Sequence, residues 1–366
     1  MSKKKLKKPD IENIDLAAKF KASIMGLKRS STLSSTTITT GSEIIDGSTQ
    51  SKMISTGFYS VDHILNGGLG PGRIYEVYGP NSSGKTTLAI NIAKSLQDQD
   101  ADYRILYVDM EGSLDGVYLQ SIGIDLDRLL LIQPRTGEEA LEAIETMIRS
   151  RTVKLIVLDS LATLVPKAEI EQGINKDTMG LQARLVSKAL RILNPLLVET
   201  DTIWLILNQI RKKIGVMFGN PETTPGGESL GFYTTGRLEI RRSDWIKEDD
   251  TIIGQKSRIK MTKHKLGPPQ RVNTIDIIFG KGISKENELI SMFENIDHTG
   301  VELSGSWYKI DGKSVAQGKK QFRLFLQENP KVVEQLKERI EIVKKTPTKD
   351  RAKIKYKAIK YEQHNT

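Results

Sequence analysis

Gly79-Pro80-Asn81-Ser82-Ser83-Gly84-Lys85-Thr86-Thr87 is the stretch on which the reading of this chain turns. It has the form G-x-x-x-x-G-K-[ST] of a phosphate-binding loop. Arg73-Ile74-Tyr75-Glu76-Val77-Tyr78 before it reads as a strand, and Leu88-Ala89-Ile90-Asn91-Ile92-Ala93 after it reads as the start of a helix. In that setting the backbone N–H groups of the glycine-rich turn and the helix N-terminus point at an anion. Lys85 reaches the outer phosphates of a nucleotide, and the Thr86 hydroxyl ligates Mg²⁺.

The rest of the chain is arranged around that loop. Buried-strand candidates at 74–78, 104–109, 154–158 and 203–207 alternate with helices of 3.6-residue period at 85–97, 137–150 and 179–199. This predicts an α/β fold with a mostly parallel central sheet and helices on both faces. Each strand ends in polar residues, so the site is expected at the carboxyl edge of the sheet. Residues 237–242, 256–262 and 272–278 read as further strands in a hairpin-like arrangement. The expected organisation has an N-terminal segment at 1–53, a core at 54–282, a small C-terminal α/β domain at 283–345 and a mobile basic tail at 346–366. The N-terminal segment begins with lysines, carries a helix at 10–26 with Leu16, Phe20 and Ile24 on one face, and ends in a Ser/Thr-rich linker at 29–53.

The 366 residues are 38% hydrophobic, and no apolar run is long enough to cross a bilayer. No apolar signal core follows the first lysines. There is no cysteine, which excludes disulfides, thiolate metal sites and cysteine nucleophiles and fits a reducing, cytoplasmic compartment. The net charge of +10 suits either a solvated surface or a polyanionic partner, and only its location separates the two.

Two strand-end carboxylates matter. Leu155-Ile156-Val157-Leu158-Asp159-Ser160 is an apolar strand ending in an acid, the arrangement that supports Mg²⁺ in P-loop enzymes. Tyr107-Val108-Asp109-Met110-Glu111 offers a group to orient or deprotonate water. Glu111 is well placed for that, with Asp109 as its competitor. Asn208-Gln209 ends the next strand. A neutral amide there senses a γ-phosphate without proton transfer, which suits a switch.

Residues 210–231 form a long loop that begins basic (Arg211, Lys212, Lys213), continues apolar (Ile214, Val216, Met217, Phe218) and ends in Gly226-Gly227. Loops this long are functional or mobile, and exposed apolar side chains in a basic loop can wedge between bases or stack on them, the alternative being that they tuck onto the core. On the helix after Thr178, Arg184, Lys188 and Arg191 share one face while Leu185, Val186 and Leu193 turn inward. Residues 171–179 make a second polar loop, with Met179 as a candidate wedge.

At this point the chain resembles the bacterial RecA recombinase family from Ile54 to about Pro330. The resemblance is carried by ISTG at 54–57, GRIYEVYGPNSSGKTTL at 72–88, DSLATLVPKAEIE at 159–171, MGLQARLVSKALR at 179–191, NQIRKKIGVMFGNPETTPGG at 208–227 and GSWYKIDGKSVAQGK at 305–319. It implies an ATP- and Mg²⁺-dependent filament on single-stranded DNA that pairs it with homologous double-stranded DNA and exchanges strands. Repressor and loader proteins of the DNA-damage (SOS) response are candidate further partners.

By position, the resemblance implies that Gly79, Pro80, Asn81, Ser82, Ser83, Gly84, Lys85, Thr86 and Thr87 hold the phosphates, Asp115 and Tyr118 contact adenine, and Asp159 supports the metal. It makes Glu111 the catalytic carboxylate and Gln209 the γ-phosphate sensor. Met179, Arg184, Ser187, Arg191, Arg211, Lys213, Ile214, Gly226 and Gly227 match DNA-contacting positions. Lys263 and Lys265 match lysines that reach a neighbouring protomer's ATP, Phe232 lies near that interface, and the 10–26 helix matches the segment that docks on the next subunit.

The basic tail departs from the acidic ending usual in the family, and is expected to attract duplex DNA. The resulting expectation is a DNA-dependent ATPase that polymerises on single-stranded DNA. A ring-forming helicase on the same core and a non-catalytic, nucleotide-gated coating protein are its rivals.

Overall fold

A computed structural model of the chain describes residues 16–29, 31, 52–172, 180–212, 219, 221–356 and 359. It divides into two units, residues 1–52 and 53–366. In the first unit the described segment is helix α1 (Leu16–Arg29), with Phe20 and Met25 exposed and Lys28 and Arg29 in its last turn. The helix expected at 10–26 is thus seen from residue 16 and runs on to 29. Most of the expected linker lies outside the described residues.

The second unit is built on β1 (Ile74–Gly79), β2 (Ile105–Asp109), β3 (Leu129–Ile132), β4 (Leu155–Asp159) and β5 (Ile203–Gln209). A short ribbon, β6 (Arg211–Lys212) and β7 (Glu222–Thr223), follows them. The long β8 (Gly236–Glu248) and β9 (Thr251–His264), then β10 (Val272–Ile278) and β11 (Gly282–Ile283), complete the main sheet. The described residues place nine strands in the order β11-β10-β9-β8-β1-β5-β4-β2-β3. Neighbours from β3 to β8 are parallel, and those from β8 to β11 are antiparallel.

Alternation along each strand explains why both faces are covered. Tyr75, Val77, Ile105, Tyr107, Leu155, Val157, Ile203 and Leu205 enter one core with helices α2 (Tyr59–Ile64), α3 (Lys85–Gln99) and α4 (Gly116–Ile122). Ile74, Leu106, Val108, Ile156, Leu158, Trp204 and Ile206 enter the opposite core with α5 (Gly137–Ser150) and, beyond the short α6 (Lys167–Gln172), α7 (Leu181–Thr200) and α8 (Gly227–Tyr233). Successive strand residues point to opposite faces, so a strand buried on both sides reads as continuously apolar. Local signals set the helix starts. Thr136 Oγ1 accepts the Glu139 N–H at 3.1 Å while Glu139 accepts the Arg135 N–H at 2.8 Å, a capping-box variant that starts α5.

The C-terminal part comprises α9 (Lys285–Asn295), the antiparallel β12 (Val301–Ser304), β13 (Trp307–Ile310) and β14 (Lys313–Gln317), then α10 (Gly318–Glu328) and α11 (Pro330–Lys345). Their core stacks Tyr308 on Phe322 with ring centroids 4.3 Å apart. Buried Arg339 grips Asp311 through two bonds of 2.7 and 2.9 Å. The expected mobile tail is held in its described part. Residues 348–353 form a 3₁₀ turn, Tyr356 OH donates to His298 O at 2.8 Å, and Ile359 is buried in this core with its N–H on Asp311. Two apolar anchors, Tyr356 and Ile359, sit among the lysines; the charge pattern hid them.

Candidate active site and nucleic-acid interface

The phosphate-binding loop sits between β1 and α3, at the carboxyl edge of the parallel strands. Gly84 starts α3 at φ +100°, a left-handed conformation that glycine adopts without strain. No side chain caps this helix and its first turn holds no acid, so its leading N–H groups are open to an anion. Lys85 is buried and parks its ammonium on Pro80 O at 2.8 Å and Gly79 O at 3.2 Å. Burial lowers its pKa, and the nearby Asp159 and Glu111 oppose that shift. Ser83 Oγ is buried with no hydrogen-bond partner. An uncapped helix end, a buried cation and an unused hydroxyl are what a phosphate would satisfy.

A cleft of about 510 Å³ opens over the loop, lined by residues 81–87 together with Glu111, Tyr118, Asp159 and Gln209. Asp159 is 3% exposed and accepts hydrogen bonds from Thr86 Oγ1 and Tyr107 OH, both at 2.7 Å. Its pKa is raised, chiefly by burial, with those two hydrogen bonds opposing. Thr86 and Asp159 are hard oxygen donors a hydrogen bond apart, a fit for a divalent cation that takes its remaining oxygens from phosphate and water.

The geometry separates Asp109 from Glu111. Asp109 is buried and accepts the N–H groups of Glu111, Gly112 and Leu114 and the Gln133 amide, so it shapes the loop. Glu111 is exposed on the cleft wall, with Oε1 accepting from Ser160 Oγ at 2.6 Å and Gln209 Nε2 at 2.9 Å. Asp115 does not line the cleft. It caps α4 by accepting the Val117 N–H at 3.0 Å, whereas Tyr118 lines the cleft and donates to Thr87 Oγ1 at 3.2 Å. Sequence reading missed Gln255, Ile277, Ile278, Phe279 and Gly280, which close the cleft from β9, β10 and the turn after β10. Those strands carry no phosphate motif, and only the sheet order brings them to the loop.

One residue along from Gln209, Asn208 Nδ2 donates to buried Glu76 at 2.9 Å and to Pro225 O at 3.0 Å. Glu76 also pairs with Arg237, whose Nη2 donates to Thr224 Oγ1 at 2.9 Å. Thr224 and Pro225 end the long loop, so its base is wired to the end of β5. The ribbon β6–β7 closes that base, and Glu222 is held there by Arg241.

Arg184 and Arg191 are exposed on α7, Ser187 is half-buried beside them, and Arg211 is exposed on β6. Gly226 is buried at φ +98° at the start of α8, where an added Cβ would come within 2.8 Å of Leu161. Gly227, exposed at φ +74°, would bring a Cβ within 3.2 Å of Ala183. Met179, Lys213 and Ile214 lie outside the described residues. Lys263 and Lys265 stand at the end of β9, with their ammonium groups on the carbonyls that end α8: Gly231 and Thr234 for Lys263, Phe232 for Lys265. Burial, first of all, lowers both pKa values. Phe232 itself is 70% exposed.

A strand–loop–helix phosphate site with a strand-end carboxylate and a cleft at the sheet's carboxyl edge defines a P-loop nucleoside triphosphatase. Comparison with known proteins narrows the class. The RecA N-terminal domain family matches residues 41–284 and the RecA C-terminal domain family matches residues 295–343. Protein RecA of Bacillus pumilus is 46% identical over 293 residues, covering 80% of this chain and 84% of that protein. Protein RecA of Bacillus subtilis is 45% identical, with 80% and 83% covered. The chain belongs to the RecA family of ATP-dependent recombinases, and it is a DNA-dependent P-loop ATPase.

Proposed function

We propose that ATP binds with its phosphates along residues 79–87 and its base between Tyr118 and Phe279. Lys85 leaves its parking carbonyls for the outer phosphates. Mg²⁺, held by Thr86 and Asp159, would neutralise charge that builds on the phosphate oxygens. Glu111 orients and deprotonates the attacking water, and Gln209 responds to the γ-phosphate. Single-stranded DNA runs past Arg184, Ser187, Arg191 and Arg211 and the loops that follow α6 and β6. Lys263 and Lys265 reach the ATP of an adjacent copy, so filament assembly and nucleotide occupancy are linked. Homologous duplex is the second DNA partner, with repressor and loader proteins of the damage response as candidate further partners. A chain without cysteine suits a reducing compartment, which supports action on DNA in the cytoplasm. Among the described residues no helix is long and apolar enough to cross a membrane.

The observation that carries this reading is the Gln209–Glu111 hydrogen bond of 2.9 Å. Gln209 holds the oxygen that must activate water, and it belongs to the strand that leads into the long loop. Gain or loss of a γ-phosphate beside it therefore reaches the hydrolytic group and the DNA grip together. The test is ATP turnover with and without single-stranded DNA. Stimulation is expected, and Glu111→Gln should lower turnover by about 10²–10⁴-fold, the usual contribution of a general base, while ATP binding persists. Turnover that ignores DNA, or that survives Glu111→Gln, sinks the reading.

A further inference from the structure

We infer that Gln255 and Ser257 are positioning residues for the phosphate-binding loop, acting from β9 on the outward side of its backbone. The loop binds an anion only if its N–H groups face inward, which turns the intervening carbonyls outward. Those carbonyls need donors, because a buried carbonyl without one is costly. Ser257 Oγ donates to Ser83 O at 2.9 Å, and Gln255 Nε2 lies 3.3 Å from Ser82 O and 3.1 Å from Ser257 Oγ. Ser82 is a non-glycine residue at φ +56°, so the turn leans on outside support. Gln255 is 5% exposed and Ser257 is fully buried. Gly84 lies flat on this platform, since an added Cβ would come within 2.4 Å of Ile277 Cδ1, 3.5 Å of Gln255 and 3.6 Å of Ser257.

The two residues can be told apart by where they stand. Gln255 lines the nucleotide cleft, so a change there could act through direct contact with nucleotide. Ser257 does not line it and can act only indirectly, through the loop backbone or through Gln255. The inference rests on nucleotide binding by the loop, so its test is the equilibrium binding of ADP to the DNA-free chain, followed by steady-state ATP hydrolysis on single-stranded DNA.

Removing one donor from a buried carbonyl costs about 1 kcal/mol, roughly fivefold in affinity. Ser257→Ala is expected to weaken ADP binding about fivefold and raise the ATP KM by a similar factor, with kcat at saturation unchanged. Ser257→Thr, which keeps the hydroxyl, is expected to restore binding. Gln255→Met serves as a second variant, and melting of each nucleotide-free chain shows whether it is folded. Parent-like ADP affinity in folded Ser257→Ala, or a fall in kcat at unchanged KM, overturns the inference. If Ser257→Ala does not fold, parent-like affinity in folded Gln255→Met overturns it. A parent chain that binds no ADP overturns the nucleotide reading itself.

Discussion

Replacing Arg237 by methionine strands a carboxylate in the core. Glu76 is 0% exposed, and its two oxygens are taken by Arg237 and by Asn208 Nδ2. Removing the cation leaves a charge that water cannot reach. Breaking one partner of a buried pair costs about 3–5 kcal/mol. Arg237 keeps 26% of its side chain in solvent, so the lower end, about 3 kcal/mol, is the fair expectation. At about 2–4 °C per kcal/mol for a core of this size, that is a drop of about 6–12 °C in Tm. The assay is thermal unfolding of the nucleotide-free chain as the parent, Arg237→Met, Glu76→Gln and the double variant. The double variant should melt above Arg237→Met, because a neutral amide no longer needs the guanidinium. Arg237 also holds Thr224 at the base of the long loop, so Arg237→Met should blunt stimulation of ATPase by single-stranded DNA. Arg237→Met melting within about 2 °C of the parent, or single effects that simply add, would mean that Glu76 does not depend on this cation.

Two further outcomes follow. Both His264 ring nitrogens are buried without a hydrogen-bond partner, and its pKa is lowered by burial and then by Arg271. The unfolded chain therefore binds this proton more readily than the folded one, so stability falls as pH drops through the ordinary histidine value of about 6.5. His264→Leu should flatten that part of the stability–pH curve, and an unchanged curve counts against it. In the tail, Lys349→Glu, Lys353→Glu and Lys355→Glu together should weaken duplex binding and make its log–log salt slope shallower, by about 0.9 for each phosphate no longer neutralised; an unaltered slope rules out the tail as a DNA-binding element. Charge reversal is a cleaner probe than truncation here, because deletion also pulls Ile359 out of the C-terminal core.

Much of this architecture is legible because its strands are buried on both faces. Leu155–Leu158 and Ile203–Leu207 announce themselves as apolar runs, Ile74–Val77 is interrupted by the single charge of Glu76, and the loop at 79–87 fixes which strand comes first in function. Strand β3 escapes the sequence. It is a four-residue edge strand with its middle leucines exposed, and neither length nor alternation marks it. The choice between Asp109 and Glu111 is open in the sequence because both stand at one strand end. Their hydrogen bonds differ, since Asp109 spends its oxygens on its own loop and on Gln133, and that favours Glu111. Asp115 shows the converse: an acid just before a helix is an N-cap by physical chemistry, and that local signal is there to be read. The wall formed by Gln255 and Phe279 has no local signature, since it meets the loop only after β8 doubles back through β9 and β10.

Asn208 and Gln209 are joined by a single peptide bond, yet one side chain faces the base of the long loop and the other faces Glu111. Because β5 alternates, a turn of that one unit is transmitted to both places with no intervening structure. On the proposed function, communication between nucleotide and DNA is then a matter of strand parity. Adding or deleting one residue at the end of β5 would swap which side chain serves which place, leaving both sites built and the conversation between them silent.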